Sequence, residues 1–458
     1  MNPSKENKPG GEHYKVYIIR EMHQDSNHSP EEALKMNPFP ASWLPVAADS
    51  DFPLWNLPFG IIHNAWLKPR AATRIGDTVV DLSVLAEAGY FSTLPQDLVR
   101  VFRQDSLNDF IALGKPVWKA VRERLLSIFS EEDGSLRDKV VFRNQALLSA
   151  KEVEMLLPVR VGDYTDFYSS LEHATNVGLM FRDPKNALLP NWKHLPVAYH
   201  GHSSSIMVSG TPVKRPSGQI NPGNDGPVFS PSRNLDFELE MAFVVGKDNP
   251  SGSSVSTAEA EDHIFGMMIF NDLSARDIQK WEYVPLGPFL SKNFGSVVSP
   301  WIVTMEALEP FRVAGPPQDP VLPYLSFEGK RSFDIRLEVW IQPEGAEAKR
   351  VCLSNFRYLY WNMAQQLAHH TVNGCNMRVG DLCASGTISG PDRESFGSLL
   401  EITWNGRDSI QYSDGRERTF LEDHDVVVMK ASCEKDGLRM GFGECVTRIL
   451  PALQTLSK

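Results

Sequence analysis

The sequence predicts an α+β protein in which a small unit of strands and helices is followed by a larger, mainly β unit. Three observations carry that prediction. Helix-like runs concentrate before residue 130, strand-like runs dominate from about residue 158, and Gly/Pro/Asn/Asp clusters separate those strands. A chain of 458 residues has room for more than one domain and for a sizeable core.

Residues 1–40 are rich in Asn, Pro, Lys, Glu and His, with "KVYIIREM" as their only apolar island, and read as a loosely docked extension. In residues 41–157, "FGIIHNAWL" and "TRIGDTVVDLSVL" read as strands, the second hinged at Gly76-Asp77. "TLPQDLVRVFRQDSLNDFIALGKPVWKAVRERLLSIF" reads as two or three helices broken at Gly114-Lys115-Pro116, and "SEEDGSLRDK" as a turn-rich connection. In residues 158–458 the strands are "SSSIMVSG", "DFELEMAFVVG", "SFDIRLEVWI", "GSLLEITW" and "DHDVVVMKASC". One helix is expected among them, "SNFRYLYWNMAQQLAHHTVNG". Ser354 is its N-cap, Phe356, Leu359, Met363 and Leu367 form its stripe, and Gly374 sits at the C-terminal cap.

Composition narrows the function. The net charge of −11, from 46 basic and 57 acidic residues with no basic block, argues against nucleic-acid or anionic-membrane partners. No run approaches eighteen apolar residues, so no membrane span is expected. The five cysteines, Cys352, Cys375, Cys383, Cys433 and Cys445, are odd in number and lack C-x-x-C spacing, which suggests reduced thiols. With no secretory pattern at the N-terminus, a cytoplasmic location is the expectation.

Three segments could carry chemistry. In "NLDFELEMAFVVG", strand alternation sends Phe237, Leu239 and Met241 one way and Asp236, Glu238 and Glu240 the other. Glu238 and Glu240 would lie about 7 Å apart on one face, either as a solvated surface or as hard oxygen ligands for Mg²⁺ or Ca²⁺. In "FNDLSARDIQKWEYVPLGPFLSKNFG", an apolar strand ends at Asn271-Asp272 and is followed by Arg276, Gln279, Tyr283 and Lys292. Lys292 sits in an apolar Gly/Pro-rich loop, where an ammonium needs a partner, whereas Arg276 reads equally well as part of a surface turn. "GTISGP" offers amides and hydroxyls suited to a carboxylate or carbonyl, and Glu401 follows on a strand-like run whose face would ordinarily be solvated. A fourth stretch, "DYTDFYSSLEHATNVG", is crowded with polar groups but fits neither helix nor strand periodicity. Adjacent His369 and His370 face different directions on a helix and are poor joint ligands, one expected to be packed and one exposed.

These stretches, together with "LPVAYHG", "VSGTPVKRP", "SPW", "NGCNMRVGDLCASGTISGP" and "SFGSLLE", resemble the fumarylacetoacetase family in order from about Ala41 to Pro451. The resemblance implies an SH3-like N-terminal barrel followed by a mixed β-roll catalytic domain, assembled as a homodimer. It implies metal-dependent hydrolysis of the carbon–carbon bond of 4-fumarylacetoacetate to fumarate and acetoacetate, the last step of tyrosine and phenylalanine breakdown. It places Ca²⁺ or Mg²⁺ at Asp166, Glu238, Glu240 and Asp272, with Lys292 and Ser296 beside a second Mg²⁺. It makes His173 the general base and Glu401 its orienting carboxylate. Arg276, Gln279 and Lys292 would stabilise developing charge, and Tyr168, Arg182, Tyr199, Gln279, Tyr283 and Thr387 would hold the substrate.

The chain departs from the family pattern at Leu273, Ser296 and His202, where Trp, Thr and Arg are expected. Leu273 and Ser296 could loosen packing or the second Mg²⁺ site, and His202 could alter the charge of the "YHG" loop. The alternatives are another metal-dependent member of the wider superfamily, such as an acylpyruvate hydrolase or oxaloacetate decarboxylase, and a non-catalytic cation-binding protein.

Overall fold

A computed structural model describes residues 39–94, 97–223 and 225–453. The expected extension over residues 1–40 therefore lies outside the described residues except for Phe39 and Pro40, as do Pro95 and Gln96 of the expected helical run.

The first part of the chain is a five-stranded antiparallel sheet covered by helices. Its strand order is Leu147–Ser149, Thr78–Asp81, Arg70–Ile75, Phe59–His63 and Glu154–Leu156. The run "TVVDLSVL" is strand only to Asp81. There the Asp81 side chain accepts from the amides of Ser83 and Val84 and starts the helix Leu82–Glu87. The helical stretch is three helices, Leu98–Phe102, Asn108–Ile111 and Lys115–Phe129, with the break at Gly114 as expected. In the last of them Val117, Trp118, Val121, Leu125 and Ile128 are buried at helical spacing.

The second part is built on an eight-stranded mixed sheet. Along its main path the order is Ala198–His200, Tyr164–Phe167, Leu382–Ala384, Leu239–Val245, Ile264–Asp272, Ser296–Val298 and Ile206–Val208, and Val303–Thr304 pairs Ile264–Asp272 off that path. Most pairs are antiparallel, but Leu382–Ala384 runs parallel to Tyr164–Phe167, and Ser296–Val298 parallel to Ile206–Val208. A five-stranded sheet containing Arg336–Gln342, Val426–Lys435 and Leu438–Leu450 packs against one face. Met241, Phe243, Met267 and Ile269 share a core with its Leu337, Val339, Val427 and Met429. From the other face Ala242, Val244, Met268 and Phe270 join Phe59, Phe102, Phe110 and Trp118 of the first part. Burial on both faces explains why these central strands read as continuous apolar runs.

Two expected elements are corrected. The helix expected from Ser354 begins at Met363 and ends at Thr371, while Ser354 and Asn355 belong to the strand Lys349–Asn355. Asn362 is its N-cap, in a reciprocal capping box with Gln365, so the first half of the expected stripe lies outside it, Phe356 in a separate 3-10 turn, Phe356–Tyr358. "GSLLEITW" is not a strand either, because Leu399–Ile402 is a helical turn capped by Ser398. Its first amides, Leu399 N and Leu400 N, donate to the Asp236 carboxylate at 2.7 and 3.0 Å, a contact that local patterning does not reveal. His369 and His370 are both half-buried, paired with Tyr324 and Thr165.

Candidate active site

The crowded segment resolves into two elements. Tyr164–Phe167 is a strand in which Asp166 opposes Tyr199 on one side and Ala384 on the other. Ser170 then caps the helix Leu171–Phe181, its hydroxyl accepting from His173 N at 3.1 Å and donating to Ser389 O at 3.0 Å. Gly178 lets this helix approach the Ala187 backbone, since a Cβ there would sit 1.9 Å from Ala187 O.

Strand ends bring the acids together. Glu240 is the second residue of the strand Leu239–Val245, Asp272 closes the strand Ile264–Asp272, and Glu238 precedes the first of these. Carboxylate oxygens of Asp166, Glu238, Glu240 and Asp272 all lie within 4.8 Å of one another, and all four residues are buried. The solvated-face alternative for Glu238 and Glu240 is thereby excluded. Burial, reinforced by Asp272, pushes the Asp166 carboxyl well above its usual range. Burial, reinforced by Asp166, does the same to Glu240. Burial also opposes ionisation of Glu238, but Lys292 and Arg276 outweigh it and hold that carboxyl low.

Two cations face this cluster. Lys292 Nζ donates to Glu238 Oε2 and, at 2.7 Å, to Asp272 Oδ2. Arg276 Nε donates to Asp236 Oδ2 at 2.9 Å, and Arg276 Nη2 lies 2.8 Å from Glu238 Oε1. Both are buried, so neither is the snorkelling or surface-turn residue of the alternative reading. Ser296 Oγ and Tyr199 OH donate to the two oxygens of Asp272 at 2.8 and 3.0 Å. Gly386 N donates to Glu240 Oε2 at 2.9 Å, and only glycine fits there: its φ is +76° and a Cβ would lie 2.1 Å from Phe167 O. Asp166 Oδ1 and Glu240 Oε1 are buried and accept no hydrogen bond among the described residues. Hard oxygens with unused lone pairs and acid in excess of base fit a divalent cation such as Ca²⁺ or Mg²⁺.

Beside the cluster, His173 Nδ1 lies 2.6 Å from Glu401 Oε2. Glu401 is fully buried and also accepts from Asn176 Nδ2 at 2.9 Å, Ser389 Oγ at 2.9 Å and Ser398 Oγ at 2.8 Å. His173 Nε2 makes no hydrogen bond among the described residues. The Tyr168 ring stands edge-on to His173 at a centroid distance of 5.3 Å. The sequence pattern links none of Asn176, Ser389 and Ser398 to Glu401, although Ser389 supplies one of the hydroxyls of "GTISGP". Asn176 was the discoverable one, three positions beyond His173 and hence on the same helix face.

Comparisons with known proteins agree with this geometry. Residues 55–158 match the family described as "Fumarylacetoacetase N-terminal", and residues 164–450 match "Fumarylacetoacetate (FAA) hydrolase C-terminal". The chain is 52% identical over 416 residues to the fumarylacetoacetase of Rattus norvegicus, covering 90% of this chain and 99% of that one. It is 52% identical over 418 residues to that of Homo sapiens, with coverages of 90% and 99%. The chain belongs to the fumarylacetoacetase family. The Arabidopsis thaliana fumarylacetoacetase is 51% identical over 415 residues, with coverages of 90% and 98%.

Of the residues that resemblance to the fumarylacetoacetase family singles out, most converge. Arg276 Nη1 donates to Gln279 Oε1 at 3.2 Å, and Thr387 Oγ1 is buried without a partner among the described residues. Residues 386–390 of the "GTISGP" loop are buried rather than exposed. Arg182 and Tyr283 lie outside the buried cluster. Arg182 is exposed and donates to Ala187 O at 2.5 Å, its charge still felt at Tyr168, and Tyr283 is 52% exposed on the loop after the helix Arg276–Glu282. Lys292 and Ser296 touch the four-carboxylate group itself, the single such group among the described residues. Leu273 is fully buried in the main core, Ser296 keeps a hydroxyl on Asp272, and His202 is exposed beside Ser204 and Ser205.

Proposed function

We propose that this chain is a fumarylacetoacetase, cleaving the carbon–carbon bond of 4-fumarylacetoacetate with water to give fumarate and acetoacetate. The observation that carries the reading is the buried His173–Glu401 pair set beside four converging carboxylates in a member of this family. Binding a cation needs the carboxylates alone; the oriented imidazole is what a hydrolase adds.

Asp166, Glu238, Glu240 and Asp272 would hold Ca²⁺ or Mg²⁺, which supplies Lewis-acid polarisation of the diketone oxygens when bound. Glu401 fixes the Nδ1–H tautomer of His173, so Nε2 takes the proton from a water whose oxygen attacks the fumaryl carbonyl carbon. Collapse of the tetrahedral adduct breaks the bond to the acetoacetate carbon, which leaves with the electron pair as an enolate. Arg276, Gln279 and Lys292 offset that charge, and the proton held by His173 returns to the departing carbon. Tyr168, Tyr199 and Thr387 would bind the substrate from within, and Arg182 and Tyr283 from the exposed side, as anchors for its carboxylates.

The same reading includes division into an SH3-like domain over residues 41–157 and a β-roll catalytic domain over 158–458, a homodimer, and a cytoplasmic location. It is consistent with the absence, among the described residues, of any helix long and apolar enough to cross a membrane. Light scattering tests the dimer and cell fractionation the location. Comparison of purified protein on fumarylacetoacetate and on acylpyruvates tests the reaction, and a preference for acylpyruvates would overturn it.

A further inference from the structure

Asp236 is a buried acid beside the site that belongs neither to the four-carboxylate group nor to the His173–Glu401 pair. It lies in the short strand Leu235–Asp236, two residues before Glu238, and its side chain is fully enclosed. Oδ1 accepts from Leu399 N at 2.7 Å. Oδ2 accepts from Leu400 N at 3.0 Å and from Arg276 Nε at 2.9 Å. One carboxylate thus grips the helical turn that carries Glu401 and the guanidinium that faces Glu238. The backbone repeats the link, with Asp236 paired to Ser274 and Glu238 bridged to Ser398.

Resting on the reaction assigned above, we propose that Asp236 is a positioning residue that locks the His173–Glu401 pair and Arg276 into one rigid frame. It touches neither substrate nor cation. Its two oxygens fill three donor contacts at fixed geometry, so Arg276 is aimed along Nη2 toward Glu238 while Glu401 is held under His173. An asparagine cannot reproduce this, because its amide nitrogen would meet an N–H donor in place of an acceptor. Displacements of the order of 1 Å in catalytic groups cost roughly 10²-fold in rate while leaving ground-state contacts largely intact.

The test is a set of variants in the full-length, cation-loaded protein: Asp236→Asn, Arg276→Lys and the double variant, assayed for kcat and KM on fumarylacetoacetate and for Ca²⁺ affinity by calorimetry. The expected result for D236N is a fall in kcat of roughly 10²-fold, with KM and Ca²⁺ affinity within about threefold of wild type. The double variant should lose less than the product of the two single losses, because both changes release the same guanidinium while D236N alone also frees the Leu399–Ile402 turn. A D236N kcat within about threefold of wild type, or losses that multiply in the double variant, would overturn the proposal. If D236N does not fold, Asp236→Glu replaces it: the added methylene displaces the carboxylate and should lower kcat at least roughly fivefold, and wild-type kcat there would refute positioning. An inactive wild-type protein would defeat the reaction assignment and the proposal with it. An active wild type with an equally active D236N defeats the proposal alone.

Discussion

His173 Nδ1 and Glu401 Oε2 stand 2.6 Å apart although 228 positions separate the residues in sequence. The contact joins a helix that follows the first acidic strand to a helical turn near the end of the site segment. Both partners are buried and the carboxylate is saturated by three further donors, so the pair is rigid before any substrate arrives. We expect His173→Ala to lower turnover about 10³-fold while the protein still folds and keeps its cation affinity near wild type. Steady-state assays with calorimetry on one preparation check this, and near-normal turnover would remove His173 from the base role.

Glu401 gives the pair a pH signature. Burial raises its pKa, but His173, Asn176 and Ser398 more than offset that, leaving it below the ordinary 4.5. An acid depressed on folding stabilises the protein above its unfolded pKa, and the contribution fades as pH falls through the lower folded value. The melting temperature of wild type should therefore exceed that of Glu401→Gln at about pH 6, and the gap should shrink below about pH 4.5. Thermal melts across that range measure it, and a gap that widens on acidification contradicts the assignment.

Glu240 offers the cation an oxygen with no other partner among the described residues. Glu240→Ala should weaken Ca²⁺ or Mg²⁺ binding roughly tenfold or more and remove activity with it. Unchanged affinity by calorimetry would take Glu240 out of the ligand set.

Lys292 bridges Glu238 and Asp272 and so partly neutralises the cluster. Lys292→Met leaves those buried carboxylates without their ammonium, which should destabilise the cation-free protein by about 3 kcal/mol. Added Ca²⁺ should recover more of the melting temperature in the variant than in wild type, since it replaces the missing positive charge. Equal melting of the two proteins in chelator would show that Lys292 carries no such load.

Alternation along "DFELEMAF" made the shared face of Glu238 and Glu240 legible, because a strand's period holds whatever packs on it. The start of the helix Met363–Thr371 and the state of "SLLEI" were not. Local pattern favours a strand at Leu399–Ile402, and the turn forms because Asp236, 163 positions away, supplies acceptors for its first amides. Asn362 displaced Ser354 as N-cap for a similar reason, since Ser354 is held in a strand and its hydroxyl donates to Ile388 O. Roles for Arg276 and Lys292 needed the resemblance, because burial of a cation is decided by acids that the chain brings from elsewhere.

Cleavage by the intact site should depend on a bound cation. The direct measurement is the ultraviolet absorbance of fumarylacetoacetate followed with purified wild-type protein, first with Ca²⁺ or Mg²⁺, then after chelation, then with the cation restored. We expect rapid loss of absorbance, its arrest by chelator and its recovery on adding cation back. Absence of cleavage with either cation, or undiminished cleavage by ion-free protein, would contradict the account.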